Sequence, residues 1–211
     1  MRVLIVSGGK QPKEATIKKY IDKDTYIISA DSGSDALYKH NIMPNLILGD
    51  FDSISDEVLK YYEEKNCKIN RFKAEKDFTD TEAAVLEAIK LKPKELVLLG
   101  ATGTRLDHTL ANLGLLYKCK KARIEAVIVD ENNKVSIHSE SFEFNEKEGQ
   151  TFSLQAFGEN VRNLSINGAK YPLHNYDLSF GDPRTVSNEC TKNPVKITFD
   201  SGIILLIKSN D

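Results

Sequence analysis

The apolar pattern of this 211-residue chain changes period once, near residue 130, and such a chain folds as two different structures in series. Before that point, short runs rich in β-branched residues lie at 3–6, 26–30, 46–48, 68–72, 96–99 and 126–129. They alternate with segments of helical spacing at 14–21, 34–39, 56–65, 80–91 and 105–121. The alternation predicts a Rossmann-like α/β domain with a mostly parallel sheet over 1–130. Beyond it come short alternating segments at 134–138, 151–157, 164–166, 195–199 and 203–208, with no long helical period. These predict a smaller all-β sandwich domain over 131–211. The acidic, asparagine-rich Asp130-Glu131-Asn132-Asn133 marks the join.

Composition narrows function rather than fold. With 40% hydrophobic and 28% charged residues and no low-complexity run, the chain has the make-up of an ordinary soluble protein. Its 29 basic and 31 acidic side chains leave a formal charge of −2, too weak a field to hold nucleic acid or an anionic membrane. The first apolar run is too short for a signal-peptide core, and no stretch approaches the ~20 apolar residues that span a bilayer. A cytosolic (cytoplasmic) protein is expected. Cys67, Cys119 and Cys190 are odd in number and far apart, which argues for buried free thiols over a disulfide framework or zinc site.

In open α/β sheets ligands collect beyond the carboxyl ends of the strands, and the unusual residues of the first half fall there. The second strand leads into Asp31-Ser32-Gly33 and the third into Gly49-Asp50-Phe51-Asp52-Ser53. The fourth helix is preceded by Lys76-Asp77-Phe78-Thr79-Asp80-Thr81-Glu82. Carboxylates gathered on one rim repel and raise one another's pKa unless a cation neutralises them. Oxygen ligands without clustered His or Cys favour Mg²⁺ or Ca²⁺, and Mg²⁺ usually takes one or two carboxylates plus substrate phosphates. Asp50 and Asp52 are the pair best spaced to aim at one ion; the alternative is an Asx-turn with a helix N-cap at Asp52 or Ser53. Thr79 and Glu82 fit a capping box. Asp80, at the first helical position, either favours the helix dipole or reaches a metal held by Asp50 and Asp52. Asp77 is the other carboxylate of that loop.

The fifth strand runs into Gly100-Ala101-Thr102-Gly103-Thr104-Arg105-Leu106-Asp107-His108, a strand-to-helix loop able to present N–H groups to phosphate. Arg105, His108 and Asn112 share one helix face by their spacing, with Leu106, Leu110, Leu113 and Leu116 expected on the core face. Arg105 can fork onto phosphate oxygens. His108 is either a ligand of phosphate or base, or a packed histidine. Gly8-Gly9-Lys10 lacks the spacing and hydroxyl of a G-x-x-x-x-G-K-[ST] loop, so this is not a Walker-type ATPase. In the second half, Tyr171-Pro172-Leu173 and Val186-Ser187-Asn188-Glu189 either recognise a small polar ligand or make turns.

Taken in order, Ala30-Asp31-Ser32-Gly33, Gly49-Asp50-Phe51-Asp52-Ser53, Asp77-x-Thr79-Asp80, the segment from Gly100 to His108, Gly168-x-x-Tyr171-Pro172-Leu173, Gly181 and Ser187-Asn188-Glu189 carry a resemblance. Over nearly its full length the chain resembles the thiamine pyrophosphokinase, or thiamine diphosphokinase, family. The resemblance implies an α/β nucleotide-handling domain coupled to a β-sandwich, and a homodimer with thiamine at the subunit interface. It implies transfer of the pyrophosphoryl group of ATP to the hydroxyl of thiamine, giving thiamine diphosphate and AMP. Mg²⁺ is then expected on Asp50, Asp52 and Asp80, with Asp31, Asp77, Arg105 and Asp107 in catalysis. Gly100, Thr102, Gly103, Thr104, Arg105 and His108 would surround the nucleotide phosphates, and Tyr171, Ser187 and Asn188 would contact thiamine. The chain has no tryptophan, so any aromatic wall for thiamine falls to Tyr or Phe, with Tyr171 as candidate.

In-line displacement at phosphorus needs an aligned hydroxyl, neutralised oxygens and a proton acceptor; Asp31 or Asp107 is nominated for the last. Two rival readings remain at the level of sequence. One is a haloacid-dehalogenase-like phosphatase with Asp50 as nucleophile, although its nucleophile loop usually follows the first strand. The other is a nucleotide-binding sensor without turnover.

Overall fold

The structure, a computed structural model, describes residues 1–73 and 77–210. The chain divides into two compact units, Met1–Glu131 and Asn132–Asp211. Through the first run β1 (Arg2–Val6), α1 (Glu14–Lys19), β2 (Thr25–Ala30), α2 (Gly33–Lys39), β3 (Leu46–Gly49), α3 (Asp56–Glu64), β4 (Lys68–Arg71), α4 (Asp80–Lys90), β5 (Glu95–Leu99), α5 (Leu106–Lys121) and β6 (Glu125–Val129). The strands pair in parallel throughout, in the order β6-β5-β1-β2-β3-β4.

Both faces of this sheet are covered, which is why its inner strands read as continuous apolar runs rather than alternating ones. Leu4, Val6, Ile27, Val97 and Leu99 pack with Ile17 of α1 and Ala36 and Leu37 of α2. Their neighbours Val3, Ile5, Ile28, Leu96 and Leu98 are as deeply buried, and α4 lies across β1, β2 and β3 with α5 beside β6. The chain builds outward from β1 to β4, then returns to the other side of β1 with β5 and β6. Such a reversal opens a crevice beyond the carboxyl ends of the strands that flank it, here β1 and β5.

The second unit contains β7 (Asn133–His138), β8 (Phe142–Phe144), β9 (Thr151–Ala156), β10 (Val161–Asn167), β11 (Leu173–Leu178), a 3₁₀ turn (Pro183–Thr185), β12 (Asn188–Glu189), β13 (Val195–Thr198) and β14 (Ile204–Ser209). Its strands run β12-β9-β14-β7 and β11-β10-β13-β8, antiparallel in every pairing. Phe152 and Leu154 of β9 and Ile204 and Leu206 of β14 meet Val161, Leu164 and Ile166 of β10 and Val195 and Ile197 of β13 in one core. Along β9 alternate residues are buried, the period-two pattern of a sandwich strand. An α/β unit with a parallel sheet followed by a β-sandwich is the architecture the periodicity predicts.

All three cysteines are free; Cys119 and Cys190 are buried and Cys67 is half-buried. Among the described residues no helix is long and apolar enough to cross a membrane.

Candidate active site

Two strand ends bring three carboxylates together. After β2, Asp31 takes a φ of 47° to turn the chain into α2. At the end of β3, Gly49 lies against Asp31 so closely that a Cβ there would meet its Cα and Cβ at 3.3 Å. Phe51, at φ 66°, turns into the core with Ile54, Val58 and Tyr62, and the Arg71 guanidinium sits 4.9 Å over its ring. Anchoring Phe51 sends its two neighbours, Asp50 and Asp52, to the rim. Asp31, Asp50 and Asp52 each place a carboxylate oxygen within 4.8 Å of the others.

Asp31 Oδ1 is buried and, among the described residues, has no hydrogen-bond partner. Burial is the main force pushing the Asp31 pKa up; hydrogen bonds from the Ser32 backbone and the Ser53 side chain oppose it, and the charges of Asp80 and Asp52 add to it. A buried, unpartnered acceptor is costly, so it calls for a donor or cation from outside the described residues.

The capping alternative for Asp52 and Ser53 does not hold, because α3 begins at Asp56 with Ser55 at its N-cap. What is left of an Asx-turn is a long contact of 3.5 Å from the Asp52 N–H to Asp50 Oδ1. Asp80 opens α4 and its charge reaches Asp31, but it lies outside the group of three. Thr79 does cap α4, its Oγ1 accepting from the Glu82 N–H at 3.1 Å. The Glu82 carboxylate pairs with Lys118 of α5 instead of closing the capping box. Asp77 is exposed ahead of the helix, and Lys76 lies outside the described residues.

The loop after β5 is laced to its neighbours. Gly9 N–H donates to Gly100 O at 2.8 Å and Lys10 N–H to Thr102 O at 2.7 Å. Gly100, at φ +64°, has no room for a Cβ against the Ser7 carbonyl. Thr102 Oγ1 donates to Asp130 Oδ2 at 2.9 Å, which commits the hydroxyl proton and leaves Thr102 to act through its backbone. Gly103, Thr104, Arg105 and His108 are exposed. Sequence reasoning missed the roles of Gly9 and Asp130; a glycine pair straight after a strand was the available signal for the first, and nothing marked the second.

Arg105, His108 and Asn112 follow one another along one side of the helix start, as their spacing requires, but only Asn112 is turned inward; Arg105, at the N-cap of α5, and His108 are exposed. Asn112 is only 6% exposed and its Nδ2 donates to Ala101 O at 2.7 Å. Leu115, Leu116 and Cys119 complete the buried side of α5. Leu106 and Leu110, expected in the core, are 73% and 66% exposed. They lie on the opposite side of the helix, and apolar character alone misassigned them.

Arg105 grips Asp107 with Nε on Oδ1 at 3.2 Å and Nη2 on Oδ2 at 2.6 Å. The Arg105 hydrogen bond is the main cause that brings the Asp107 pKa down to about 2. Asp107 is therefore a weak base.

In the second unit, Tyr171, Asn188, Lys170, Pro172, Leu173, Arg184, Thr185 and Ile166 line a hollow of 330 Å³. Asn188, 3% exposed, spends its side chain on the backbone. Its Oδ1 accepts from Tyr171 N–H at 3.0 Å and Glu189 N–H at 2.9 Å, and its Nδ2 donates to Tyr171 O at 2.8 Å. Asn188 thus sets the position of Tyr171, and one amide hydrogen is left for any ligand. Ser187 is exposed at φ 57° with its N–H on Ser153 Oγ at 3.0 Å. The structure accordingly separates two residues that the sequence treats alike. Asn188→Ala is expected to cost about 1–3 kcal/mol by stranding backbone groups of Tyr171 and Glu189, read as a fall in melting temperature. Ser187→Ala should leave melting unchanged and raise KM for the organic acceptor alone; equal melting of the two variants would refute the distinction.

Fold and site define a class: an α/β enzyme that gathers carboxylates and a glycine loop on the carboxyl rim of a parallel sheet, suited to phosphate esters, in one chain with an antiparallel sandwich. Residues 17–128 match the family model described as thiamin pyrophosphokinase, catalytic domain, and residues 131–204 match thiamin pyrophosphokinase, vitamin B1 binding domain. The chain is 32% identical to thiamine pyrophosphokinase of Bacillus subtilis (strain 168) over 209 residues, 98% of each chain. It superposes on the crystal structure of thiamine pyrophosphokinase from Bacillus subtilis with a TM-score of 0.91, at 29% identity and 100% of both chains. For a thiamin pyrophosphokinase family protein from Enterococcus faecalis the TM-score is 0.86, at 30% identity and 100% of both chains. The chain belongs to the thiamine pyrophosphokinase family.

Proposed function

We propose that this chain transfers the pyrophosphoryl group of ATP to the hydroxyl of thiamine, giving thiamine diphosphate and AMP. Within the family, the observation that carries the reading is the buried, unpartnered Asp31 Oδ1 among three clustered carboxylates. A donor set of hard oxygens with one orphaned member fits Mg²⁺. Asp50, Asp52 and Asp31 would hold it, with Asp80 at the edge of the group. When bound, the ion supplies charge neutralisation for the phosphate oxygens.

The chain's own residues provide the remaining parts. N–H groups of residues 100–104 and of the α5 N-terminus receive phosphate oxygens. Arg105 can exchange Asp107 for a phosphate oxygen at little cost, because that ion pair is solvated on both sides. Neither nominated proton acceptor is free as it stands: Asp107 is held at a low pKa by Arg105 until that pair exchanges, and Asp31 would be committed to the ion. Attack on the β-phosphorus follows from AMP as leaving group.

We further infer a homodimer with thiamine bound at the subunit interface, supported by the exposed Leu106 and Leu110 beside Arg105. A monomer with full specific activity in sedimentation-matched assays would overturn the dimer. Three free thiols suit the reducing cytoplasm as the site of action.

Incubation with ATP, Mg²⁺ and thiamine is expected to yield AMP and thiamine diphosphate in equal amounts. Orthophosphate in place of AMP would indicate the phosphatase reading, and nucleotide binding without turnover the sensor; either result overturns the kinase. Nothing in the geometry favours a phosphatase, since Asp50 follows the third strand and is drawn into the carboxylate group.

A further inference from the structure

We infer that Lys10 binds the phosphate chain of the nucleotide, an inference that rests on the nucleotide-binding reading above. Strand order sets the loop after β1 between the glycine loop after β5 and the carboxylates that follow β2 and β3. A phosphate chain that spans from the N–H donors of one to the metal-holding carboxylates of the other crosses the end of β1. The first residues beyond that strand are Ser7, Gly8, Gly9 and Lys10.

The backbone there is fitted to its neighbours on both sides. A Cβ on Gly8 would overlap Ser32 Oγ, and one on Gly9 would overlap the carbonyl oxygens of Gly100 and Thr102. With Gly9 flush against the glycine loop and the Lys10 N–H donating to Thr102 O, Lys10 is fixed beside Gly103, where an added Cβ would stand 3.2 Å from Lys10 N.

Charge points the same way. Lys10 is exposed and, among the described residues, forms no ion pair. Lys13, a few residues on, is tied to Glu131 at 3.2 Å, and Arg105 across the loop is tied to Asp107 at 2.6 Å. Of these three cations, Lys10 is thus the one that needs no prior partner exchange to meet an anion. A lysine contributes a compact point charge on a flexible stem, which suits phosphate contact without fork geometry. The motif differs from a Walker loop in its logic. The glycines serve the close approach of three loops, and the lysine is placed by a strand end rather than by a helix N-terminus.

The test is titration of the Mg²⁺ complex of α,β-methylene ATP into the full chain, with initial rates of AMP formation and melting temperatures measured in parallel. Lys10→Met is expected to weaken nucleotide binding about tenfold, the loss of one charge-assisted contact, with the KM for thiamine and the melting temperature unchanged. Lys10→Arg should recover most of the affinity, and Lys13→Met, whose ammonium is already paired, should bind as wild type. Wild-type affinity in Lys10→Met, or equal weakening by Lys13→Met, overturns the inference. If the wild type binds the analogue but makes no AMP, the kinase reading fails while the titration still decides the role of Lys10. If the wild type makes AMP and Lys10→Met matches it in affinity and rate, the role of Lys10 alone falls.

Discussion

Asp52→Asn is expected to lower kcat more than about 100-fold at saturating Mg²⁺ while leaving the fold intact. Loss of a residue that merely supports a metal ligand costs about 10–100-fold, and Asp52 is proposed as a ligand itself. The side chain is exposed, so burial does not depend on it. Its contact with Ser53 Oγ at 2.9 Å needs only a carbonyl-type oxygen, which the amide retains.

The same variant has a signature independent of turnover. A cation that binds the folded form alone raises the melting temperature by mass action, so Mg²⁺ should stabilise the wild type and do so much less in Asp52→Asn. For a carboxyl whose pKa is raised by folding, as at Asp31, the contribution to stability is fully present below the unfolded value and is lost as pH rises through the folded one. Relief by Mg²⁺ should therefore be absent near pH 3 and grow as the cluster ionises. Near-normal turnover, with an undiminished Mg²⁺ shift, would remove Asp52 from the metal site.

A single methyl group should have a comparable effect at Gly9. The carbonyl oxygens of Gly100 and Thr102 that its Cβ would overlap are backbone atoms and have no rotamer to escape into. Gly9→Ala can be accommodated only by parting the β1 loop from the glycine loop, which breaks the hydrogen bonds of 2.8 and 2.7 Å between them. Overpacking costs about 1–3 kcal/mol and each lost bond about 1 kcal/mol. We expect a lower melting temperature together with more than about tenfold weaker binding of the nucleotide analogue, because the shifted loop carries the proposed phosphate donors. Gly114→Ala on α5 is the control: a Cβ there meets nothing within 4 Å, and helix propensity favours alanine by up to ~1 kcal/mol. Should Gly9→Ala melt and bind like the control, the two loops are not mechanically joined.

Legibility in the sequence followed the length over which a pattern repeats. The helices end within two residues of the spacing-based limits, 14–21 against Glu14–Lys19 and 80–91 against Asp80–Lys90. In the second unit β8 and β12, of three and two residues, are too short to show any period. Asp50 and Asp52 could be picked out because they flank an apolar residue at a strand exit. That Asp31 stands with them depends on Gly49 letting two strand ends approach, a tertiary fact. Leu116 lies in the core as expected, but Leu106 and Leu110 were misplaced because apolar spacing on a helix does not tell which turn of it is covered, whereas Asn112 goes inward to hold a loop. Asn188 was legible as special but not for its reason, since side-chain bonds to a distant backbone leave no local trace.

The glycine loop is tied at Gly9, Lys10, Asn112 and Asp130, four points on three separate stretches of chain. Its form resembles that of an arch, held by mutual thrust rather than by any one strong joint. Single ties can be exchanged in the course of descent with modest loss, since the others keep the span. Insertion or removal of one residue between 100 and 105 would put every tie out of step together. A change of loop length should then cost more than a new side chain at an exposed, non-glycine position such as Thr104.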